Sequence, residues 1–277
     1  MANPELAVCR AGSHWEQRIL KNEVMGAVSL SRSVRSALTL ATLEDSGWYK
    51  ANYSMAEPLA WGRGAGCEWL HEPCVDGSGG TQRDFCATAG VQRCTADHRA
   101  LGVCNRVTHG IGAIPDRFQY FPNASGEGGL LPTADYCPYY SPYPNAHCDE
   151  PSHAPVHNFR GQTYGGSSRC VESRLEQSVL IGDAEYVLSA GAPEMGCHVT
   201  RCTNGTLELL LNATPGDELW LRCPTPGMPV PAPPGAMAHA SAHARPPYTC
   251  HTHALFAPPP PKRRTGACTC NACVTSC

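Results

Sequence analysis

The sequence predicts an α+β fold: a short helical region, then a disulfide-rich, irregular and β-rich domain, then a disordered tail. Three observations predict it. Only the stretch from Ser33 to Ser46 carries an apolar stripe of helical period over several turns. Seventeen cysteines are scattered over 277 residues, mostly at irregular spacing. Gly (27) and Pro (25) are abundant enough that much of the backbone must turn or run irregularly.

The first zone, residues 1–66, holds one cysteine, Cys9. Val34, Leu38 and Ala41 recur at i, i+4 and i+7 and predict a helix from Ser33 to Ser46. Ser33 or Ser36 suits its N-cap, and Gly47 suits the residue that ends it. A second helical turn is expected through Trp15 to Val24. This zone is too small to close a core alone, because helices need a partner for their apolar face. It is expected to be loosely packed, with apolar surface exposed at Leu38 and Leu43.

The second zone, residues 67–223, is the cysteine-rich domain. Twelve cysteines from Cys67 to Cys250 allow six bridges whose connectivity spacing does not settle. Strand-like runs are expected at Arg117–Phe121, Ser178–Ile181 and Leu207–Leu211. Turn-rich stretches at Asp76–Gly80 and Pro138–Pro144 separate them. The third zone, residues 224–277, is dominated by Pro, Ala, His and Cys. It buries too little apolar surface to offset chain entropy, so it is expected to be disordered or PPII-like.

Composition excludes several functions. A net charge of −3 provides no basic field for nucleic acid. No run of 18 apolar residues exists that would span a membrane. The cysteines, with four N-glycosylation sequons at Asn52, Asn123, Asn204 and Asn212, point to an oxidising, extracellular setting. Yet Met1-Ala2-Asn3-Pro4-Glu5 has neither the basic nor the apolar region of a signal peptide, and the C-terminus has no hydrophobic GPI-anchor tail. With the odd cysteine count, this leads to the expectation that the chain is a fragment of a longer protein.

His14 is the first candidate for chemistry. Alone, an isolated histidine is more often a surface or packing residue than a ligand. Its neighbourhood changes that reading. Gly12-Ser13-His14-Trp15-Glu16-Gln17-Arg18, followed by Asn22-Glu23-Val24-Met25, resembles the third-ligand segment of leishmanolysins, the surface zinc metalloproteases of trypanosomatids. Ser36–Ala41, Glu44–Lys50, Ala56-Glu57-Pro58, Trp61-Gly62, Gly66-Cys67-Glu68, Phe118–Phe121 and Asp135–Pro138 continue the likeness. It is strong from Gly12 to Cys148, thinner from Tyr164 to Cys223, and lost in the tail.

The resemblance implies that His14 is the third zinc ligand, with Met25 in the Met-turn beneath the metal. It implies that residues 1–66 are the helical remnant of a metzincin-like catalytic domain. It further implies one zinc ion, proteolysis of protein or peptide substrates, adhesion through host-cell surface proteins, and a location outside the cell or at the membrane surface. The chain itself contains no HExxH: His71-Glu72-Pro73-Cys74-Val75 lacks the second histidine, and Pro73 follows the glutamate directly. The chain as written is therefore expected to be inactive. Glu16 and Glu23 read as solvated helix-face charges.

Two clusters in the tail remain. His239, His243, His251 and His253 with Cys250 read as compositional bias rather than a metal site. Cys268, Cys270, Cys273 and Cys277 read as disulfides or thiols rather than a thiolate cluster. Alternatives to the peptidase reading are a glycosylated, disulfide-bonded adhesion module without catalysis, or a truncated gene product.

Overall fold

The computed structural model describes residues 13–28, 30, 32–110, 112–155, 162–172, 178–181, 184–187, 195–203, 206–212, 218–222, 229–230 and 248–249. The helices are α1 (Ala37–Asp45) and α2 (Glu68–His71). The strands are β1 (Gln92–Cys94), β2 (Ala100–Cys104), β3 (Arg106–Thr108), β4 (Glu127–Gly129), β5 (Tyr140–His147), β6 (Ser168–Glu172), β7 (Ser178–Ile181), β8 (Ala184–Val187), β9 (Met195–Thr203), β10 (Thr206–Asn212), β11 (Leu219–Arg222), β12 (Pro229–Val230) and β13 (Tyr248–Thr249). Strands outnumber helices, and disulfides tie them together. Among the described residues no helix is long and apolar enough to cross a membrane.

The chain divides into two compact units that interleave in sequence. One gathers the described residues up to Val91 with Cys104–Tyr140; the other gathers Gln92–Val103 with the described residues from Ser141 onward.

In the first unit α1 starts later than the apolar period predicts. Ser36, in extended backbone, caps it by accepting from the Thr39 amide, and Gly47 follows its end at φ 76°. Residues before Ser36 are drawn elsewhere: Val34 pairs with Glu23 in a parallel bridge, through Val34 N to Asn22 O (2.7 Å) and Val24 N to Val34 O (2.9 Å). The expected stripe is not buried. Thr39 is the helix's buried residue, while Leu38 and Leu43 are 45% and 43% exposed. The expected turn of helix at Trp15–Val24 is a series of turns held by bridges at Trp15 and Glu23.

The core of this unit is aromatic. Trp61 meets Trp69, Phe85 and Tyr139 edge-on at 5.5, 5.2 and 5.9 Å, and Trp69 stacks on Phe85 at 5.0 Å. Gly62 is required here: at φ 66°, an added Cβ would stand 2.4 Å from the Trp69 ring. Disulfides Cys74–Cys137 and Cys86–Cys104 frame the cluster.

The run Arg117–Phe121 is not a strand. It begins in a 3₁₀ turn over Asp116–Phe118, with Gln119 Nε2 donating to Ile114 O (3.0 Å). Phe118 and Phe121 are both buried, a spacing of three that suits a turn rather than the period of two of a strand.

The second unit holds a three-stranded sheet, order β1-β2-β5, and a four-stranded sheet, order β11-β10-β9-β6. The stretch Pro138–Pro144, expected as turns, enters β5. Its prolines are tolerated because β5 is an edge strand with one side free of ladder bonds. The strands expected at Ser178–Ile181 and Leu207–Leu211 are present as β7 and β10.

Disulfides serve as the centre of this unit. Cys170 of β6 faces Cys197 of β9 across the ladder; each leaves the sheet through its own bridge, Cys94–Cys170 and Cys148–Cys197. These sulfurs cluster with buried Met195. Cys202 is also disulfide-bonded. Most of the Pro/His/Cys-rich tail lies outside the described residues; β12 and β13 pair within it, a local exception to the expected lack of order.

Candidate functional site

The loop from Ser13 to Gly26 closes on itself. Trp15 N donates to Met25 O (2.9 Å), and Trp15 and Gly26 form a parallel bridge. This sets the backbone beside His14 against the turn carrying Met25. The His14 side chain is exposed, Met25 is 42% exposed and Val24 52%.

Glu23 locks the loop to α1. Its carboxylate, 1% exposed, accepts from Met25 N (2.6 Å), Ser36 N (3.0 Å) and Ser36 Oγ (2.8 Å). Three donors satisfy a buried anion that would otherwise be costly. The Trp15 indole adds a bond to Thr39 Oγ1 (2.8 Å), joining the His14 side of the loop to the buried face of α1.

The reading of Glu16 and Glu23 as solvated charges is therefore overturned, since they are 4% and 1% exposed. They face inward because the segment runs as bridged turns, in which helical periodicity does not decide which side chain meets solvent. Sequence reasoning also missed Ser36 as a partner of Glu23. The two sit 13 positions apart, with no local period linking them.

The described residues do not by themselves fit a catalytic zinc. Such an ion takes three protein ligands and keeps one position open. Among the described residues no group of three His, Cys, Asp or Glu side chains is placed to hold a metal. His71 is an exposed residue at the end of the four-residue α2. A cavity of about 320 Å³ is lined by Glu68, Glu72, Asp76, Gln82 and Arg83 among others, and neither His14 nor Met25 lines it. The Ser78 hydroxyl, followed by the Gly80 and Ser78 amides, holds the Asp76 carboxyl below its ordinary pKa.

Asn52 and Asn123 of the sequons are exposed. The Asn52 side chain accepts from both Ser54 N (3.2 Å) and Ser54 Oγ (2.7 Å). Asn204 lies outside the described residues, as does the side chain of Asn212, and so do the histidine and cysteine clusters of the tail.

Comparison with known proteins adds the remaining observation. The family model Peptidase_M8, described as leishmanolysin, matches residues 7–252. A leishmanolysin-like peptidase of Drosophila pseudoobscura pseudoobscura is 32% identical over 248 residues, covering 76% of this chain and 36% of that protein. A leishmanolysin homolog of Crithidia fasciculata is 34% identical over 196 residues, covering 70% of this chain and 28% of its own length. The leishmanolysin of Leishmania tropica is 33% identical over 165 residues, 58% of this chain and 25% of that protein. The similarity thus extends to insects as well as trypanosomatids, and the chain spans about a third of the length of the first of these relatives.

Proposed function

The chain belongs to the leishmanolysin family of metalloproteases, and on that premise we propose that it is the C-terminal portion of a zinc metalloendopeptidase acting on protein or peptide substrates. His14 is the third zinc-ligand position and Met25 the Met-turn residue supporting it. One observation carries this reading: the Trp15–Met25 backbone bond of 2.9 Å, which holds the histidine segment against the methionine turn. The site is not self-sufficient. Two further ligands and a general base are needed for zinc-assisted hydrolysis, so the 277 residues alone are inactive.

The purified chain is expected to leave casein intact with or without added zinc. Zinc-dependent, chelator-sensitive cleavage would overturn its inactivity. Joined behind an HExxH-bearing segment of a family member, the chain is expected to support chelator-sensitive cleavage that His14→Ala abolishes. Cleavage unaffected by that substitution would overturn the ligand role. By family the setting is extracellular or at the cell surface.

A second reading is favoured by the disulfides within each unit, Cys74–Cys137 and Cys86–Cys104 in one and Cys94–Cys170 and Cys148–Cys197 in the other, none of which uses His14 or Met25. In it the chain acts as a glycosylated binding module that recognises host-cell surface proteins. Concentration-dependent binding of the full chain to cells, lost on reduction, is the expected result; equal binding after reduction would remove this reading.

A further inference from the structure

Between Trp15 and Val24 six side chains are buried, and five of them are polar or charged: Glu16, Gln17, Arg18, Lys21 and Glu23, with Ile19 the exception. Packing alone would favour apolar residues, because buried charges seldom stabilise a fold more than well-packed apolar groups of the same volume. What charges add is direction. This segment is therefore placed by oriented bonds.

The bonds converge from two sides of the first unit. On one side, Arg18 Nη1 donates to Trp69 O (3.1 Å) and Glu72 O (3.4 Å), and Nη2 donates to Leu70 O (3.0 Å). The Trp61 and Trp69 indoles donate back to Arg18 O (2.9 Å) and Ile19 O (3.2 Å). On the other side, Asp135 Oδ2 lies 3.7 Å from Arg18 Nε, Thr133 Oγ1 donates to Gln17 Oε1 (2.5 Å), and Lys21 Nζ sits 3.7 Å from the centre of the Tyr139 ring. The fully buried Cys74–Cys137 disulfide joins the two sides, leaving one just after Glu72 and entering the other between Asp135 and Tyr139.

We propose that Arg18 is a positioning residue for the His14–Met25 loop, gripped in a clamp whose two jaws are closed by the Cys74–Cys137 disulfide. The guanidinium is suited to this task because its planar fork serves several carbonyls and a carboxylate at once; a lysine ammonium does not reproduce that geometry. That the clamped loop serves a metallopeptidase rests on the reading above. The clamp itself does not.

Hydrogen exchange of the full oxidised chain tests it. In Arg18→Lys and in Cys74→Ala/Cys137→Ala, the amides of Trp15, Val24 and Gly26 are expected to exchange at least about tenfold faster, the loss of one hydrogen bond to a charged group. The Cys170 amide, bonded to His98 O in the second unit, serves as the reference and stays unchanged. Cys86→Ala/Cys104→Ala, which leaves the jaws joined, is expected to spare the loop. Loop amides that stay protected in Arg18→Lys would overturn the proposal. So would a uniform rise through the whole first unit, Cys104 and Asn105 amides included, which marks a merely structural role. Failure of the peptidase reading shows separately, as cleavage indifferent to His14→Ala with these exchange results intact.

Discussion

Glu23 and Ser36 form a buried lock: Ser36 gives both its amide and its hydroxyl to Glu23 Oε1, at 3.0 and 2.8 Å, while its own Oγ accepts from the Thr39 amide (3.4 Å) to start α1. One carboxylate thus sets both the start of the helix and, through Met25 N, the turn beside His14.

Glu23→Gln keeps the shape but places an amide NH₂ against backbone donors on one side. The expected loss is about 2–3 kcal/mol, the scale of a charged hydrogen bond broken in a buried site. Denaturant midpoints measure it. A double-mutant cycle with Ser36→Ala is expected to show coupling of about 1 kcal/mol or more, and additive losses would dissolve the lock.

Gly62→Ala is expected to destabilise the first unit by about 2–4 kcal/mol. The left-handed backbone alone costs about 1–2 kcal/mol for an L side chain, and the new Cβ also meets the Trp69 ring at 2.4 Å. A fall in thermal midpoint with a change in tryptophan fluorescence is the signature; an unchanged midpoint would contradict the packing of Trp61 and Trp69.

His198, 2% exposed in β9, is pushed down to about 4 by burial, from an ordinary value of 6.5. The unfolded chain therefore binds its proton first as pH falls. The stability from keeping His198 neutral is fully present above pH 6.5 and is lost between pH 6.5 and 4, by about 3 kcal/mol in all. His198→Leu is expected to flatten that part of the profile when urea midpoints are compared at pH 7 and 4.5. A profile as steep as the native one would reject the assignment.

Removing Cys94–Cys170 or Cys148–Cys197 is expected to cost about 4 kcal/mol each, from loop closures over sequence separations of 76 and 49 residues. Because Cys170 faces Cys197, removing both empties one shared space. Calorimetry is expected to show loss of a cooperative transition in the double variant. Retention of that transition would mean that the sulfur cluster is not the centre of the second unit.

Local chemistry was legible in advance. A serine able to cap, a glycine able to turn left-handed, and short apolar runs at β7 and β10 all act over a few residues. Where local pattern conflicted with sheet position, it misled. Pro142 and Pro144 signal turns, yet an edge strand leaves proline's missing N–H harmless. Phe118 and Tyr120 alternate as in a strand, yet Phe118 and Phe121 are the buried pair.

The sequence by itself determined the family and the disulfide-rich character, and its likeness to that family singles out His14 and Met25. Tertiary structure alone decided which cysteines pair, over separations from 18 to 76 residues. It also decided that Glu16, Arg18, Lys21 and Glu23 turn inward. The physical reason is the same for both. A charge or a thiol carries no local preference that names its partner. Only the packed chain brings Ser36 to Glu23, the Trp69 and Leu70 carbonyls to Arg18, and Cys137 to Cys74.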